Sequence, residues 1–207
     1  GRRCLTPSPV NRLTAGFAGD FRDGTDINLG VGYVNDSTIP AAAIREAYEH
    51  IIADPIRYRN ALNYGGAEGS PNLIASLRNY YLRKHIGQRT QEDLRGKKIL
   101  IGANGATSLL DAISDILDAG VVITSDPFYY IFTDTLERKG FQVLAIPEDE
   151  EGLSVTELRN ELEGMDTDSI RMFYIVTVNN PSSSILSNRR REEIARIVTT
   201  LSQNRRE

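Results

Sequence analysis

The sequence predicts an α/β fold, in which helices cover both faces of a mainly parallel sheet and give three layers. Beyond residue 97, short apolar runs typical of buried strands alternate with longer segments whose apolar residues recur at helical spacing. Such alternation favours parallel pairing, because a parallel crossover must return the chain along the whole strand. The composition agrees with one globular domain: 207 residues, 40% hydrophobic and 25% charged.

Charge and composition exclude several classes of partner. The net charge is −4, and acidic residues directly follow the arginine run 189–191, which we interpret as solvated helix surface; no nucleic-acid partner is expected. No apolar run approaches the roughly 20 residues of a membrane span, so we expect no membrane partner. The single cysteine, Cys4, argues against a metal cluster and indicates a reducing compartment, which predicts a cytoplasmic protein.

The first part of the chain predicts two helices joined by a glycine-rich loop. An extended segment that ends at Gly32 precedes a helix near 41–53. After the glycine-rich loop, Ser70 and Pro71 form a good cap and first-turn pair. The second helix should therefore run from Pro71 to about residue 85.

The remaining chain alternates between strands and helices. Strands are predicted near 98–102, 121–125, 141–146 and 170–178, and helices near 105–118, 129–139, 154–163 and 187–203. Ligands of parallel α/β sheets bind beyond the carboxyl ends of the strands. Three of the predicted strand ends carry residues that suit a ligand.

The first of these strand ends is a glycine turn at 102–107 that opens a helix, and the positive end of the helix dipole favours a phosphate. The second carries the aromatic pair Phe128 and Tyr129, and the third places Asn180 before Pro181. Each has a simpler interpretation, as a tight connection, a core aromatic or a turn that ends a strand. Their common position at one edge of the sheet favours a shared ligand site.

Together these residues resemble the pyridoxal-phosphate aminotransferases of fold type I, class I/II, over residues 27 to 203. The resemblance implies that Gly105, Ala106 and Thr107 hold the cofactor phosphate, mainly through backbone amides. It implies that Tyr129 stacks on the pyridine ring and that Asn180 hydrogen-bonds the phenolic oxygen of that ring. The activity implied is transfer of an amino group between an amino acid and a 2-oxo acid.

The resemblance also implies a homodimer and a division of the chain. Tyr64, followed by a Gly-x-Pro-x-Leu segment at 69–73, matches a tyrosine that reaches the cofactor phosphate of the neighbouring subunit. Gly32 matches the loop that lines the substrate carboxylate. Residues 1–45 then correspond to an N-terminal arm and substrate-loop segment, and residues 46–207 to part of the cofactor-binding large domain.

Two features depart from the family pattern. Ser183 stands where the family usually has glycine, in the turn after Asn180 and Pro181. The reaction also needs a lysine that forms a Schiff base with the cofactor, and no lysine follows residue 180 in this sequence. We therefore expect the catalytic lysine beyond Glu207, either in a longer protein or in a second chain that pairs with this one. Without that lysine, the 207-residue chain should be inactive. In such an incomplete large domain, the strand at 98–102 should lie apart from the other three.

Two other functions stay open at this stage. Gly102 and Gly105, with Asp126 about 20 residues later, partly match the dinucleotide-binding fingerprint of an oxidoreductase, although its third glycine is absent. A fold-type I scaffold without the lysine would instead serve as a non-catalytic regulatory or interaction domain. The aromatic pair and the Asn-Pro motif have no role in dinucleotide binding, and they favour the aminotransferase.

Overall fold

The computed structural model describes Arg12, residues 25–27 and residues 34–204. The described residues form two compact units: residues 25–27 and 34–106, called here the N-terminal unit, and residues 107–204 with Arg12, called here the C-terminal unit. Gly32, predicted to line the substrate carboxylate, lies outside the described residues. No helix among the described residues is long and apolar enough to span a bilayer.

The N-terminal unit contains the two helices that the sequence predicts, α1 (Ala41–Ala53) and α2 (Pro71–Arg83). Pro71 is the first residue of α2, as expected, and Ser70 stands at the N-cap, but its side chain makes no capping hydrogen bond. Arg78 ties α2 to the following loop by donating to the carbonyl oxygens of Leu94 and Lys97, at 2.6 and 2.8 Å.

The prediction of a strand at 98–102 is wrong for this structure, in which these residues form no strand. The backbone N–H of Ile101 instead donates to the carbonyl oxygen of Glu68, at 3.0 Å. Gly69 packs against Ile101 so closely that a Cβ at Gly69 would lie 2.6 Å from Cγ1 of Ile101. An apolar run becomes a strand only beside another strand, and the sheet does not include 98–102.

The C-terminal unit contains a four-stranded sheet in the order β3-β2-β1-β4. The helices and strands from residue 105 onward are, in chain order, α3 (Gly105–Ile116), β1 (Val121–Asp126), α4 (Tyr130–Arg138), β2 (Gln142–Asp149), β3 (Gly152–Leu153), α5 (Val155–Glu163), β4 (Ile170–Phe173) and α6 (Asn188–Asn204). All of them lie in the C-terminal unit except Gly105 and Ala106, the first two residues of α3. Strand β1 pairs in parallel with both β2 and β4, and the short β3 pairs antiparallel with β2. Strand β4 ends at Phe173, earlier than predicted, because its pairing with β1 extends only from Ile170 to Phe173.

Apolar side chains cover both faces of the sheet. On one face, the α5/α6 cluster combines side chains of the sheet with Val155 and Leu158 of α5 and Ile194 of α6. On the other face, the α3/α4 cluster combines Val122 of β1 with Phe132 and Leu136 of α4, and Leu110 of α3 packs against it. Helices therefore lie on both sides of a mainly parallel sheet, which confirms the predicted three-layer α/β fold.

Arg190 corrects the interpretation of the arginine run as solvated surface. It is buried in α6, whereas Arg189 and Arg191 are exposed. Its guanidinium donates to both carboxylate oxygens of Asp149, at 2.7 and 2.6 Å. It also donates to the carbonyl oxygens of Gly152 and Leu153, at 2.6 and 3.1 Å. Arg190 thus fastens α6 to the β2–β3 hairpin.

Candidate cofactor site

The carboxyl ends of β1 and β4 lead into the two loops that carry predicted site residues. Because the two strands are parallel, the loop after Asp126 and the loop after Phe173 leave the sheet at the same edge. A direct hydrogen bond joins these loops: Nδ2 of Asn179 donates to the carbonyl oxygen of Pro127, at 2.7 Å. The structure therefore places Tyr129 and Asn180 on loops that touch.

Tyr129 lies immediately before α4, as the N-cap residue of that helix. Its half-buried ring packs against the α3/α4 cluster, with the centroid 6.2 Å from that of Tyr130. Leu110, which follows Thr107 by one turn of α3, packs against the same cluster. Leu110 and the aromatic loop thus share one packing surface within the C-terminal unit.

Tyr174 belongs to this aromatic group although the sequence reasoning missed it. Its ring contacts Phe132 edge to face at 5.0 Å and Phe128 at 6.4 Å. Burial, and secondarily the neighbouring Tyr129, raise the pKa of Tyr174, so its phenol stays neutral at physiological pH. The sequence offered little signal, because Tyr174 falls in the middle of the strand predicted at 170–178 and only the observed end of β4 at Phe173 places it at the edge of the sheet.

Asn179 and Asn180 differ sharply although they are adjacent. Asn179 is only 6% exposed, and its carboxamide donates a hydrogen bond within the protein. Asn180 is exposed, so its carboxamide lies at the surface of the edge. This difference suits Asn180 to contact a ligand and Asn179 to hold the loop.

Ser183 adopts the left-handed conformation that the family's usual glycine favours. Its φ is +63°, and its backbone N–H donates to the carbonyl oxygen of Asn179, at 2.9 Å. Glycine reaches this region without the steric cost that a Cβ brings. The turn after Asn180 therefore needs a left-handed residue here, and this chain supplies it with serine.

Replacing Ser183 with glycine should raise the free energy of unfolding by about 0.5–1 kcal/mol, because relief of the left-handed strain outweighs the added freedom of the unfolded chain. Thermal or denaturant unfolding would measure the change. Ser182→Gly, in the same turn but without a positive φ, should be destabilising, and equal effects of the two changes would contradict this explanation.

Helix α3 begins at Gly105, with φ +63°. Among the described residues, no atom outside its own helix backbone and chain neighbours would lie within 4 Å of a Cβ at Gly105, so glycine suits this position through its conformation rather than through lack of space. Ala106 and Thr107 follow in the first turn and are exposed. A helix of 12 residues presents N–H groups and the positive end of its dipole at this point, which suits an anion such as a phosphate.

Lys139 is unsuited to act as the missing nucleophile. Its Nζ contacts carboxylate oxygens of Asp111 and Asp115, at 2.9 and 2.6 Å. Although desolvation alone would lower the pKa of Lys139, its hydrogen bonds to Asp115 and Asp111 raise it above its ordinary value. A nucleophilic lysine must lose its proton, and these contacts oppose that loss.

Comparison with known proteins matches residues 25–202 to the family described as aminotransferase class I and II. The chain belongs to this family. That membership confirms the resemblance drawn from the sequence, and it leaves the dinucleotide-binding alternative without support. The chemistry of this family depends on pyridoxal phosphate.

Solved structures of the same fold come from several organisms. Kynurenine aminotransferase of Pyrococcus horikoshii superposes with a TM-score of 0.77 at 22% identity, covering 96% of this chain and 47% of its own. Multiple substrate aminotransferase of Thermococcus profundus also superposes with a TM-score of 0.77, at 21% identity, covering 96% of this chain and 48% of its own. This chain thus spans about half the length of both enzymes.

A curated relative is YcxD of Bacillus subtilis (strain 168), an uncharacterized HTH-type transcriptional regulator. It is 29% identical over 153 residues, which cover 72% of this chain and 33% of the relative. The chain therefore spans about a third of that protein.

Proposed function

We propose that the complete protein transfers an amino group between an amino acid and a 2-oxo acid, using pyridoxal phosphate, and that this chain supplies much of the cofactor site. The observation that carries the proposal is the Asn179–Pro127 hydrogen bond, which joins the loops of Tyr129 and Asn180 at one edge of the sheet. Membership of the aminotransferase family supports it. Bound pyridoxal phosphate would supply the electron sink for the bond changes at the amino-acid carbon.

The donor groups of the described residues fit this cofactor. Gly105, Ala106 and Thr107 begin α3 and offer backbone amides and a hydroxyl group to the phosphate. The ring of Tyr129 would stack on one face of the pyridine ring and exclude water from that face. The exposed carboxamide of Asn180 would donate to the phenolic oxygen and so orient the ring in its plane.

We assign the Schiff base to none of the lysines within residues 1–207, so these residues alone should bind pyridoxal phosphate reversibly. Titration followed by absorbance and fluorescence tests binding, and borohydride treatment followed by mass spectrometry tests covalent attachment. We expect saturable binding that dialysis removes, with no lysine labelled at one equivalent. Specific reduction onto a lysine of this chain would overturn that assignment, and absence of binding would count against the cofactor site itself.

The similarity to YcxD favours a second candidate, a regulatory protein that senses an amino acid or the cofactor without turnover. The two functions share the cofactor site and differ in the reaction. An assay of the longer protein with amino-acid donors and 2-oxo-acid acceptors separates them, because only the enzyme converts both substrates stoichiometrically.

Tyr64 tests the proposed homodimer. Its side chain is 98% exposed in the N-terminal unit, as a residue that serves a neighbouring subunit would be in an isolated chain. Tyr64→Phe should weaken pyridoxal phosphate binding about fivefold in a dimer, since it removes one hydrogen bond to the phosphate. It should have no effect in a monomer.

The measurement for Tyr64 is cofactor affinity together with mass from sedimentation. Tyr81→Phe, a change of another exposed tyrosine, is the matched control. Equal affinity in a dimeric Tyr64→Phe protein would remove Tyr64 from the site. The cytoplasmic location, expected from the cysteine content, and the role of Gly32 stay predictions.

A further inference from the structure

Asn179 lies at the junction of three segments of the C-terminal unit. Its Nδ2 group carries two hydrogens and lies within hydrogen-bond distance of three acceptors, the carbonyl oxygen of Pro127 at 2.7 Å, Oε2 of Glu148 at 3.0 Å and Oγ of Ser182 at 3.1 Å, so one hydrogen is shared between two of them. These acceptors belong to the loop after β1, the end of β2 and the turn that follows Asn180. One buried amide group thus contacts all three.

The chemistry of these acceptors determines the orientation of the Asn179 amide. A flipped amide would turn its oxygen toward a carbonyl oxygen and a carboxylate, which accept and cannot donate. The observed orientation leaves Oδ1 of Asn179 buried and without a hydrogen-bond partner among the described residues. Such an unpaired acceptor is costly, so the contacts of Nδ2 must compensate for it.

Glu148 holds the same turn from the other side. Its Oε2 atom also accepts from Oγ of Ser184, at 2.8 Å. The backbone N–H of Asn179 donates to the carbonyl oxygen of Ser184, at 2.9 Å. The turn that contains Asn180 is therefore attached to β2 through Glu148 and to the aromatic loop through Asn179.

We propose that Asn179, held by Glu148, is a positioning residue that fixes the distance between the aromatic loop (126–130) and the Asn180 turn (179–184). This deepens the proposed function, on which it rests, because the two loops carry the proposed ring contacts Tyr129 and Asn180. Because the two loops are already held at this spacing, the cofactor ring would bind between Tyr129 and Asn180 with little further ordering of either loop.

The decisive variant is Asn179→Leu, which keeps the size of the side chain and the backbone hydrogen bonds but removes Nδ2. Hydrogen exchange without any cofactor is measured for both loops. We expect about tenfold faster exchange in both, the factor that corresponds to one lost hydrogen bond of ordinary strength. Asn160→Leu, an exposed asparagine in α5, is the matched control and should change neither loop.

Glu148→Leu supplies a second variant if Asn179→Leu fails to fold. It should also speed hydrogen exchange in both loops. The effect on the aromatic loop should be smaller, because Asn179 would keep Pro127 as an acceptor. Faster exchange in the Asn180 turn alone, with the aromatic loop unchanged in both variants, would overturn the proposal.

Titration with pyridoxal phosphate separates this proposal from the proposed function. Weaker affinity and a reduced induced circular dichroism of the bound cofactor in Asn179→Leu, but not in Asn160→Leu, support the positioning role. If the unmodified chain binds no pyridoxal phosphate, the proposed function fails, and the exchange of the two loops still decides whether Asn179 couples them.

Discussion

Replacing Arg190 with methionine should lower the free energy of unfolding by about 2–3 kcal/mol, the value expected when a carboxylate and two backbone carbonyl oxygens lose a buried arginine donor. The guanidinium contacts Asp149 through two oxygens and also satisfies the carbonyl oxygens of Gly152 and Leu153. Methionine fills much of the space but leaves these two carbonyl oxygens without that donor. Chemical denaturation measures the loss.

Arg196→Met is the matched control for Arg190. Arg196 lies in the same helix and forms an exposed ion pair with Glu192, at 3.4 Å. Exposed pairs of this kind contribute little, so the change should stay within about 0.5 kcal/mol. Similar losses in the two variants would show that Arg190 contributes no more than a surface arginine.

The same pair predicts a dependence of stability on pH. Hydrogen bonds from Arg190 first, and then from the backbone N–H of Glu151, hold the pKa of Asp149 below its ordinary value. A carboxyl group with a lowered folded-state pKa stabilises the fold above its unfolded pKa of about 4 and loses that contribution as pH falls through the folded value. Arg190→Met should therefore flatten the acid side of the stability profile.

Arg190 also shows why part of the fold could not be predicted from the sequence. Three consecutive arginines point in three directions around a helix, and only the contact of α6 with the β2–β3 hairpin decides which one is buried. A weak signal existed, because Arg190 precedes the buried Ile194 by four residues and so shares its face. The hairpin itself depends on the two-residue strand β3, which is too short to show a periodic pattern.

The helices were predictable to within a few residues because their ends carry local signals. Pro71 begins α2, and Ser154 caps α5 by accepting from the N–H of Glu157, at 3.3 Å. The strand at 98–102 failed for the opposite reason, since a strand depends on partners that local sequence does not contain. The proposed site residues were predictable from motifs at strand ends, whereas the roles of Asn179 and Glu148 are visible only in the folded structure.

Replacing Tyr129 with leucine should weaken pyridoxal phosphate binding about tenfold, because leucine keeps the apolar packing but loses the aromatic face that would stack on the pyridine ring. The ring of Tyr129 packs against the α3/α4 cluster, so leucine at this position should leave most of the stability in place. The measurement is a cofactor titration, with denaturation of the same protein to confirm that the fold persists.

Two companion variants make the result for Tyr129 specific. Tyr129→Phe keeps the aromatic face and should bind pyridoxal phosphate nearly as well as the unmodified chain. Tyr130→Leu changes the exposed neighbour of Tyr129 and should have little effect. If Tyr129→Phe and Tyr129→Leu weaken binding equally, the hydroxyl group rather than the aromatic face contacts the ligand. The loop would then act as a hydrogen-bond donor, and the ring of the cofactor would have to lie elsewhere along the edge of the sheet.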